Sequence, residues 1–423
     1  MDVSVVIPVK NGMPYIEQCL EALLEQDFTG NWEICVYDDA STDCTVTCVE
    51  GFIPRLRSRG VDLRLSHGLE SGGVGFAKNR AVEMSCGRFI CFCDADDISE
   101  PSRIQEQFAV ADSQESPLVF VGSNFRRFPE NSTERYSKWA NDLSNEQLTL
   151  QVYTSHGPTL IAPTWFISRE LFTKLGGFKD DVRTGFAEDL EFFYRALDLG
   201  HVSFCKANKI LVKYRYHPGC SSFGVSEDTI WNMRIDRFRR CVLPRWPKFT
   251  IWNAGKQGKR FFKSLSEEDK RRVECFCDVD EKKIKRGWFE DYDEAARVVR
   301  WKLPIVHVKI PCEKSVTNAG AADIDRILSA PSCDDRGVGR MARFIGWHYR
   351  RAGFGTRHHH RHYGVSTTPS PEDSFRIKIT EIILRAARPP LVICVKLDMT
   401  GGDLERLVAE SEWTEGRDYI HFS

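Results

Sequence analysis

No apolar run in the sequence approaches the ~18 residues needed to cross a bilayer, so a membrane span is not expected. Nor does a basic segment lead into a long apolar stretch. Met1-Asp2 runs straight into Val3-Ser4-Val5-Val6-Ile7-Pro8-Val9, which reads as a buried strand rather than a signal peptide. Net charge is nearly absent, −1 from 59 Lys/Arg and 60 Asp/Glu, which excludes a uniformly basic or acidic chain. No internal repeat is visible. Cysteine is not scarce, at 15, but the number is odd and the spacing irregular. Several cysteines sit in strand-like apolar runs, where the thiol acts as a small hydrophobe. The expectation is a reduced compartment, the cytoplasm, rather than a disulfide scaffold. Without secretion, the sequon Asn131-Ser132-Thr133 carries no meaning.

What is present is a globular composition: 42% hydrophobic and 28% charged over 423 residues. That length suits two or three domains. The near-zero charge hides an uneven layout. Residues 1–100 hold 8 Lys/Arg against 17 Asp/Glu, whereas residues 234–263 hold 10 Lys/Arg against one acid, Asp236.

The first hundred residues alternate strand and helix. Strands are expected at Val3–Val9, from Trp32 to Asp38-Asp39, at Val61–Leu65 and at Arg88–Cys93. Helices are expected around Ile16–Leu24, from about Cys44 to Gly60 and over Gly75–Ser85. Such alternation argues for a parallel α/β sheet, whose ligands bind beyond the carboxyl ends of the strands. Asp38/Asp39 and Asp94/Asp96/Asp97 both fall at strand ends, so five carboxylates are expected in one crevice region. Further on, Leu118–Val121, Val202–Cys205 and Ile210–Tyr216 read as strands, and Ser144–Tyr153 and Ala187–Leu199 as helices. A domain boundary is expected inside the basic window, giving units at 1–245 and 246–423. The second unit reads as α/β, with strands at Phe249–Trp252, Val273–Cys277, Leu303–Ile310 and Leu391–Leu397 and a helix at Asp403–Glu410. Its stretch 312–388, with a Ser/Thr/Pro cluster and His358-His359-His360, reads as a long, partly disordered insertion.

Asp94-Ala95-Asp96 is a D-x-D turn. Two such carboxylates can hold a hard divalent cation that bridges phosphate oxygens, or form a solvated turn. Gly73-Val74-Gly75-Phe76-Ala77-Lys78-Asn79-Arg80 opens a helix, where backbone N–H groups and two cations suit a diphosphate. Asp189, in the first turn of a helix, is either a base or a structural N-terminal carboxylate, and the helix field there favours its ionised form. His217 is a ligand or a packed imidazole. Thr164-Trp165-Phe166 is an acceptor platform or a buried aromatic run. The C-x-C pairs Cys91/Cys93 and Cys275/Cys277 lack zinc spacing and read as core.

Taken in order, VSVVIPVKNG, DDASTDCT, GGVGFAKNR, CDADDI, Gly185–Glu191 and Tyr214-Arg215-Tyr216-His217 resemble the nucleotide-sugar half of a family 2 glycosyltransferase with the GT-A fold, over roughly residues 3–223. The resemblance implies a GT-A domain, and the residue pattern beyond it reads as a smaller Rossmann-like α/β domain. It implies a UDP-sugar donor and Mn²⁺ or Mg²⁺. Asp39 would pair with uracil beside Asp38, with Pro8 and Asn11 in the same nucleotide-sugar site. Asp94 and Asp96 would hold ribose, cation and diphosphate, and Asn79 and Arg80 would lie near the nucleotide. Arg215 and His217 would face the diphosphate or the cation. Asp189, with Glu188, would be catalytic, Asp189 as the general base.

The second half bears on the acceptor. Asn253–Gly258 is a degenerate dinucleotide fingerprint with Asp278 twenty residues past Gly258, read here as a nucleotide-like fold reused for docking. Arg239, Arg240, Arg245, Lys256, Lys259 and Arg260 interleave with Trp246, Phe249 and Trp252, and residues 339–363 add six Arg and Trp347. This pattern suits a phosphate backbone with exposed bases, or a solvated helix face over core aromatics. Ile251–Gly258, Cys277–Glu281, Pro389–Asp398 and Tyr419–Ser423 resemble an animal family named β-1,3-N-acetylglucosaminyltransferase-like and associated with galactosyl transfer to tRNA queuosine. That family passes almost directly from the 310 region to Arg388-Pro389-Pro390, so the insertion is a departure. The resemblance implies UDP-galactose and tRNA as partners; no obligate protein partner is evident. Two other readings stay open. One is a UDP-N-acetylglucosamine-dependent β-1,3-N-acetylglucosaminyltransferase acting on a galactose-ended glycan. The other is a non-catalytic RNA-binding protein on a transferase fold.

Overall fold

The structure is a computed structural model that describes residues 1–155, 157–182, 184–308, 390–396, 402–411 and 413–423. The expected insertion at 312–388, the basic stretch 339–363, and the ends of two expected strands (309–310 and Leu397) lie outside the described residues.

Val3–Val9 (β1) is buried at all seven positions, as a strand covered on both faces must be. It pairs in parallel with Trp32–Asp38 (β2) on one side and with Phe89–Phe92 (β4) on the other. Asp62–His67 (β3) extends the sheet beyond β2. Four more strands complete eight, in the order β3-β2-β1-β4-β7-β6-β8-β5: Ile98–Ser99 (β5), Val119–Phe128 (β6), Phe166–Ser168 (β7) and Ser203–Arg215 (β8). β7 runs antiparallel to β4 and β6, so the sheet is mixed in its second half. Register places the motifs. Val9 lies opposite Asp38, and the Cys93 N–H donates to the Val6 carbonyl. The carboxyl ends of β2 and β4 therefore flank the end of β1.

Two expected strands, Val202–Cys205 and Ile210–Tyr216, are one strand, β8. Asn208 and Lys209 are polar and exposed and imitate a turn. They bulge outward while pairing with β6 passes from Ser123–Ala207 to Asn124–Ile210. The helix expected over Ser144–Tyr153 is a single turn, Gln147–Leu150. The chain then turns, which carries Val152 and Tyr153 into the core. Beyond β8 the helix Glu227–Cys241 leads to a second sheet, ordered β11-β12-β10-β9-β13-β14. Its strands are Phe249–Trp252 (β9), Val273–Asp278 (β10), Trp288–Asp293 (β11), Val298–His307 (β12), Leu391–Ile393 (β13) and Tyr419–His421 (β14). The antiparallel hairpin β11–β12 was not expected from the sequence.

One apolar cluster runs through both sheets. Trp165 packs among Phe92, Phe120, Phe178, Phe192 and Phe193. Phe238 touches Tyr153 on one side and Phe249, Phe261 and Phe422 on the other. Burying each such ring contributes about 1.5–3 kcal/mol. Trp165 and Phe166 are thus core, and the acceptor-platform reading of that run is set aside. Among the described residues, no helix is long and apolar enough to cross a membrane.

Candidate active site

Asp94, Asp96 and Asp97 lie on the turn that follows β4. Their carboxylates approach within 4.8 Å of one another, and Asp96, His217 and Cys220 form an overlapping second set. The turn is fixed from below and from the side. Arg103, 1% exposed, donates to the Phe92 and Pro163 carbonyls at 2.6 and 2.8 Å. The Arg215 Nε–H donates to the Asp96 carbonyl at 2.7 Å, and the Arg215 backbone N–H to Asp97 Oδ1 at 2.7 Å.

Arg215 was expected to face a diphosphate or a cation. Its guanidinium also donates to Gln18 Oε1 at 2.7 Å and lies between the rings of Tyr15 and Phe128. It is 7% exposed and committed to holding the turn. His217 Nε2 is 2.8 Å from Asp96 Oδ2. Carboxylate oxygens joined by one imidazole suit Mg²⁺ or Mn²⁺, so Asp94, Asp96 and His217 fit the implied cation. Asp97 fits less well, because burial first and then Asp96 and Asp94 push its carboxyl well up. Burial is also the first cause that pushes Asp94 up, to about 6; Lys78 opposes it, while Asp96 and Glu188 add to it.

The helix Glu188–Asp198 presents its first turn to the same crevice. Glu188 Oε1 is 2.9 Å from the ammonium of Lys78, a buried residue of the helix Val74–Glu83. Burial alone would depress Lys78, but Glu188, Asp94 and Asp189 outweigh it and hold the ammonium above its ordinary value. Asp189 differs from the expectation drawn from its helix position. Desolvation and then the charge of Glu188 push it up to about 6, against the pull of Lys78 and of the Leu190 N–H. Burial among carboxylates outweighs the helix field. Lys78, read from the sequence as a cation for a diphosphate, is here the cation that lets Asp94, Glu188 and Asp189 sit together.

The other expected nucleotide residues form a second cluster at the ends of β1 and β2. Pro8 is buried in β1 opposite Tyr37. Asn11 Oδ1 accepts from Thr42 N–H at 2.8 Å, and Asp38 Oδ2 from Ser41 N–H at 3.0 Å. Asp39 accepts from Ser71 Oγ and from the N–H groups of Gly72 and Gly73 at 2.7–3.0 Å. One N–H group expected to hold a diphosphate, that of Gly73, is thus bound by Asp39. Gly75 is required where it stands, since a Cβ there would lie 2.7 Å from the Lys179 carbonyl. Asn79, expected near the nucleotide, makes its hydrogen bonds within the protein. It is buried and brackets the 178–180 loop, donating to the Phe178 carbonyl and accepting from the Phe178 N–H, both at 2.9 Å. Arg80 pairs with Glu83 at 2.7 Å and lies over the Phe76 ring.

The basic window is largely spoken for. Trp246, Phe249 and Trp252 are buried, so the reading of exposed aromatics among cations is corrected: these rings are core. Arg239 pairs with Asp269 at 2.7 Å, Arg240 approaches Asp198 at 3.7 Å, and Arg260 pairs with Glu227 and Asp228 at 2.8 and 2.6 Å. Arg245 and Lys256 are exposed and make no ion pair with a described residue, while Lys259 is half-buried. Burial first, then Arg286, Lys283 and Lys263, lower the Lys259 ammonium. At the fingerprint-like loop, Asp278 accepts from Ala254 N–H and Lys283 Nζ at 2.9 and 2.8 Å. That carboxylate supports its own loop.

Comparison with known proteins gives this geometry a context. Residues 4–176 match the family described as glycosyl transferase family 2. An uncharacterized glycosyltransferase of Rickettsia typhi is 27% identical over 230 residues, 51% of this chain and 64% of that protein. Poly(ribitol-phosphate) β-N-acetylglucosaminyltransferase TarS of Staphylococcus aureus is 32% identical over 134 residues, 31% of this chain and 23% of TarS. The crystal structure of S. aureus TarS 1–349 in complex with UDP-GlcNAc aligns at a TM-score of 0.46 and 21% identity, over 63% of this chain and 71% of that one. The chain thus spans somewhat under two thirds of the Rickettsia relative's length. The segment that carries the D-x-D turn lies within residues 4–176, the stretch that matches the glycosyl transferase family 2 description.

Proposed function

We propose that this chain is a metal-dependent, inverting glycosyltransferase that moves galactose from UDP-galactose to the queuosine base of tRNA, in the cytosol. The observation that carries the transferase part is the D-x-D turn, where Asp96 stands beside Asp94 and 2.8 Å from His217 and Asp94 acts electrostatically on Asp189, in a segment similar to glycosyl transferase family 2. The acceptor and the sugar rest on the likeness of the C-terminal sequence segments to the animal family described above.

Asp94, Asp96 and His217 would hold Mn²⁺ or Mg²⁺, which when bound supplies positive charge to a diphosphate leaving group. Asp189 then takes the proton of the acceptor hydroxyl. The hydroxyl oxygen forms a bond to the anomeric carbon as the bond from that carbon to the diphosphate breaks, and UDP leaves. A base with a pKa near 6 suits this work at neutral pH, being ionised yet still basic. Lys78 pairs with Glu188 beside it at 2.9 Å.

A second reading, UDP-N-acetylglucosamine as donor, is favoured by one relative, the β-N-acetylglucosaminyltransferase TarS. One assay separates the two: radiolabelled UDP-galactose and UDP-N-acetylglucosamine crossed with queuosine-containing and queuosine-free tRNA. Label from UDP-galactose is expected only in queuosine-containing tRNA. Label solely from the other donor, or equal label in both tRNAs, would overturn the finer reading.

A further inference from the structure

A cavity of about 230 Å³ lies between the helices Glu134–Asp142 and Glu227–Cys241. It is lined by Tyr136 and Trp139 of the helix Glu134–Asp142, by Trp231 and Arg234 of the helix Glu227–Cys241, and by Ser155 and Lys396. It falls just below the range of about 300–1,000 Å³ that drug-sized ligands occupy. It therefore takes about one nucleotide-sized unit rather than a length of polymer.

Three features of the walls point to a ligand. Arg234 is 4% exposed, and although its Nη1 donates to the Ser423 carbonyl at 2.8 Å, its Nη2 is buried with no hydrogen-bond partner among the described residues. A guanidinium left so incurs a desolvation cost that an anion would relieve. Burial lowers it to about 10, still charged at neutral pH. Aromatic rings from two separate helices face the same space, which suits a flat partner. Ser155 sits at φ +87°, a left-handed conformation uncommon for a non-glycine residue. The acid on the wall, Glu227, is paired with Arg260 at 2.8 Å.

Tyr136 joins this cavity to the catalytic crevice. Its far side meets Phe125 at 6.1 Å and lies 5.6 Å from the guanidinium of Arg127, which covers Tyr214, the neighbour of Arg215. After burial and the opposing effect of Arg127, the charge of Asp189 is the next influence on the Tyr136 phenol, so the two groups are electrostatic neighbours.

We propose that the cavity is an acceptor subsite that holds one nucleotide, with the base against Tyr136, Trp139 and Trp231 and the phosphate on Arg234 and Lys396. This deepens, and rests on, the reading of the chain as a transferase acting on a nucleic acid.

The test titrates guanosine 5′-monophosphate, guanosine and inorganic phosphate calorimetrically into the full chain saturated with UDP and Mn²⁺. The monophosphate is expected to bind at one site, with guanosine and phosphate each weaker by about ten-fold or more, as losing a charge-assisted or stacking contact implies. Arg234→Gln and Lys396→Gln should each weaken the monophosphate by about ten-fold while leaving UDP affinity unchanged. Lys396 is exposed, so its variant stands should Arg234→Gln fail to fold. The subsite is overturned if the monophosphate does not bind, if guanosine binds equally well, or if Lys396→Gln binds the monophosphate as the parent does. Failure of UDP itself to bind would instead sink the transferase reading. A titration without UDP then judges the cavity separately.

Discussion

The acidic crevice and the basic window use charge in opposite ways. Around Asp94, Asp96, Glu188 and Asp189 carboxylates outnumber their cations, and burial raises Asp94 and Asp189 to about 6. In the window 234–263 most cations are matched: Arg239 by Asp269, Arg260 by Glu227 and Asp228, and Arg237 by Asp198. Unmatched charge held against desolvation costs free energy, and it persists where it serves a ligand or a reaction. Matched surface charge is cheap and says little. The contrast teaches that a run of like charges in sequence is weaker evidence than a few charges brought together by the fold.

The largest effect should fall on the crevice. Asp189→Asn and Asp96→Ala are each expected to lower the rate of UDP release from the donor by about 10²–10⁴-fold. If either keeps the parental rate, the crevice is not where reaction occurs. Next comes stability. Arg103→Met would orphan the Phe92 and Pro163 carbonyls inside the core, costing about 3 kcal/mol or more by urea unfolding. Arg240→Ala, on an exposed cation of the window, should stay within about 0.5 kcal/mol. Comparable losses would erase the contrast.

A smaller effect concerns pH. The base must be ionised to accept a proton, and ionisation of Asp189 is complete only above its raised pKa. kcat/KM should therefore climb with pH through about 6 and level off above it. Glu188→Gln removes the second cause of that elevation, so its midpoint should move to lower pH; an unchanged midpoint would show that burial alone sets it, and a higher one would contradict the assignment. The smallest effect belongs to the window itself. Lys256→Ala and Arg245→Ala, exposed and without a described ion pair, should each reduce the salt slope of tRNA binding by about one at most. Arg239→Ala, whose charge Asp269 already answers, should leave the slope unchanged.

Much of the first sheet was legible. The seven-residue apolar run of β1 and the acidic ends of β2 and β4 follow from local pattern, because strands buried on both faces must be continuously apolar. The break in β8 was misread because Asn208 and Lys209 look like a turn locally. Only the long partner strand β6 shows that pairing continues past them. The motifs around Asp94 and Asp189 were legible as residue types in order, but their partners were not. Nothing near Lys78 in sequence announces Glu188, 110 residues away. Asn79 and Arg215 look like ligand-binding groups until the loops they hold are seen.

The sequence by itself determined the alternation of strand and helix, the placing of carboxylates at strand ends and the cancellation behind a near-zero net charge, since each is a matter of period and composition. Tertiary structure alone decided which of those charges stand unmatched. Desolvation and Coulomb energy depend on distances through space, and it is folding that buries Asp189 beside Glu188, answers Arg260 with Glu227 and seals Arg234 against a cavity.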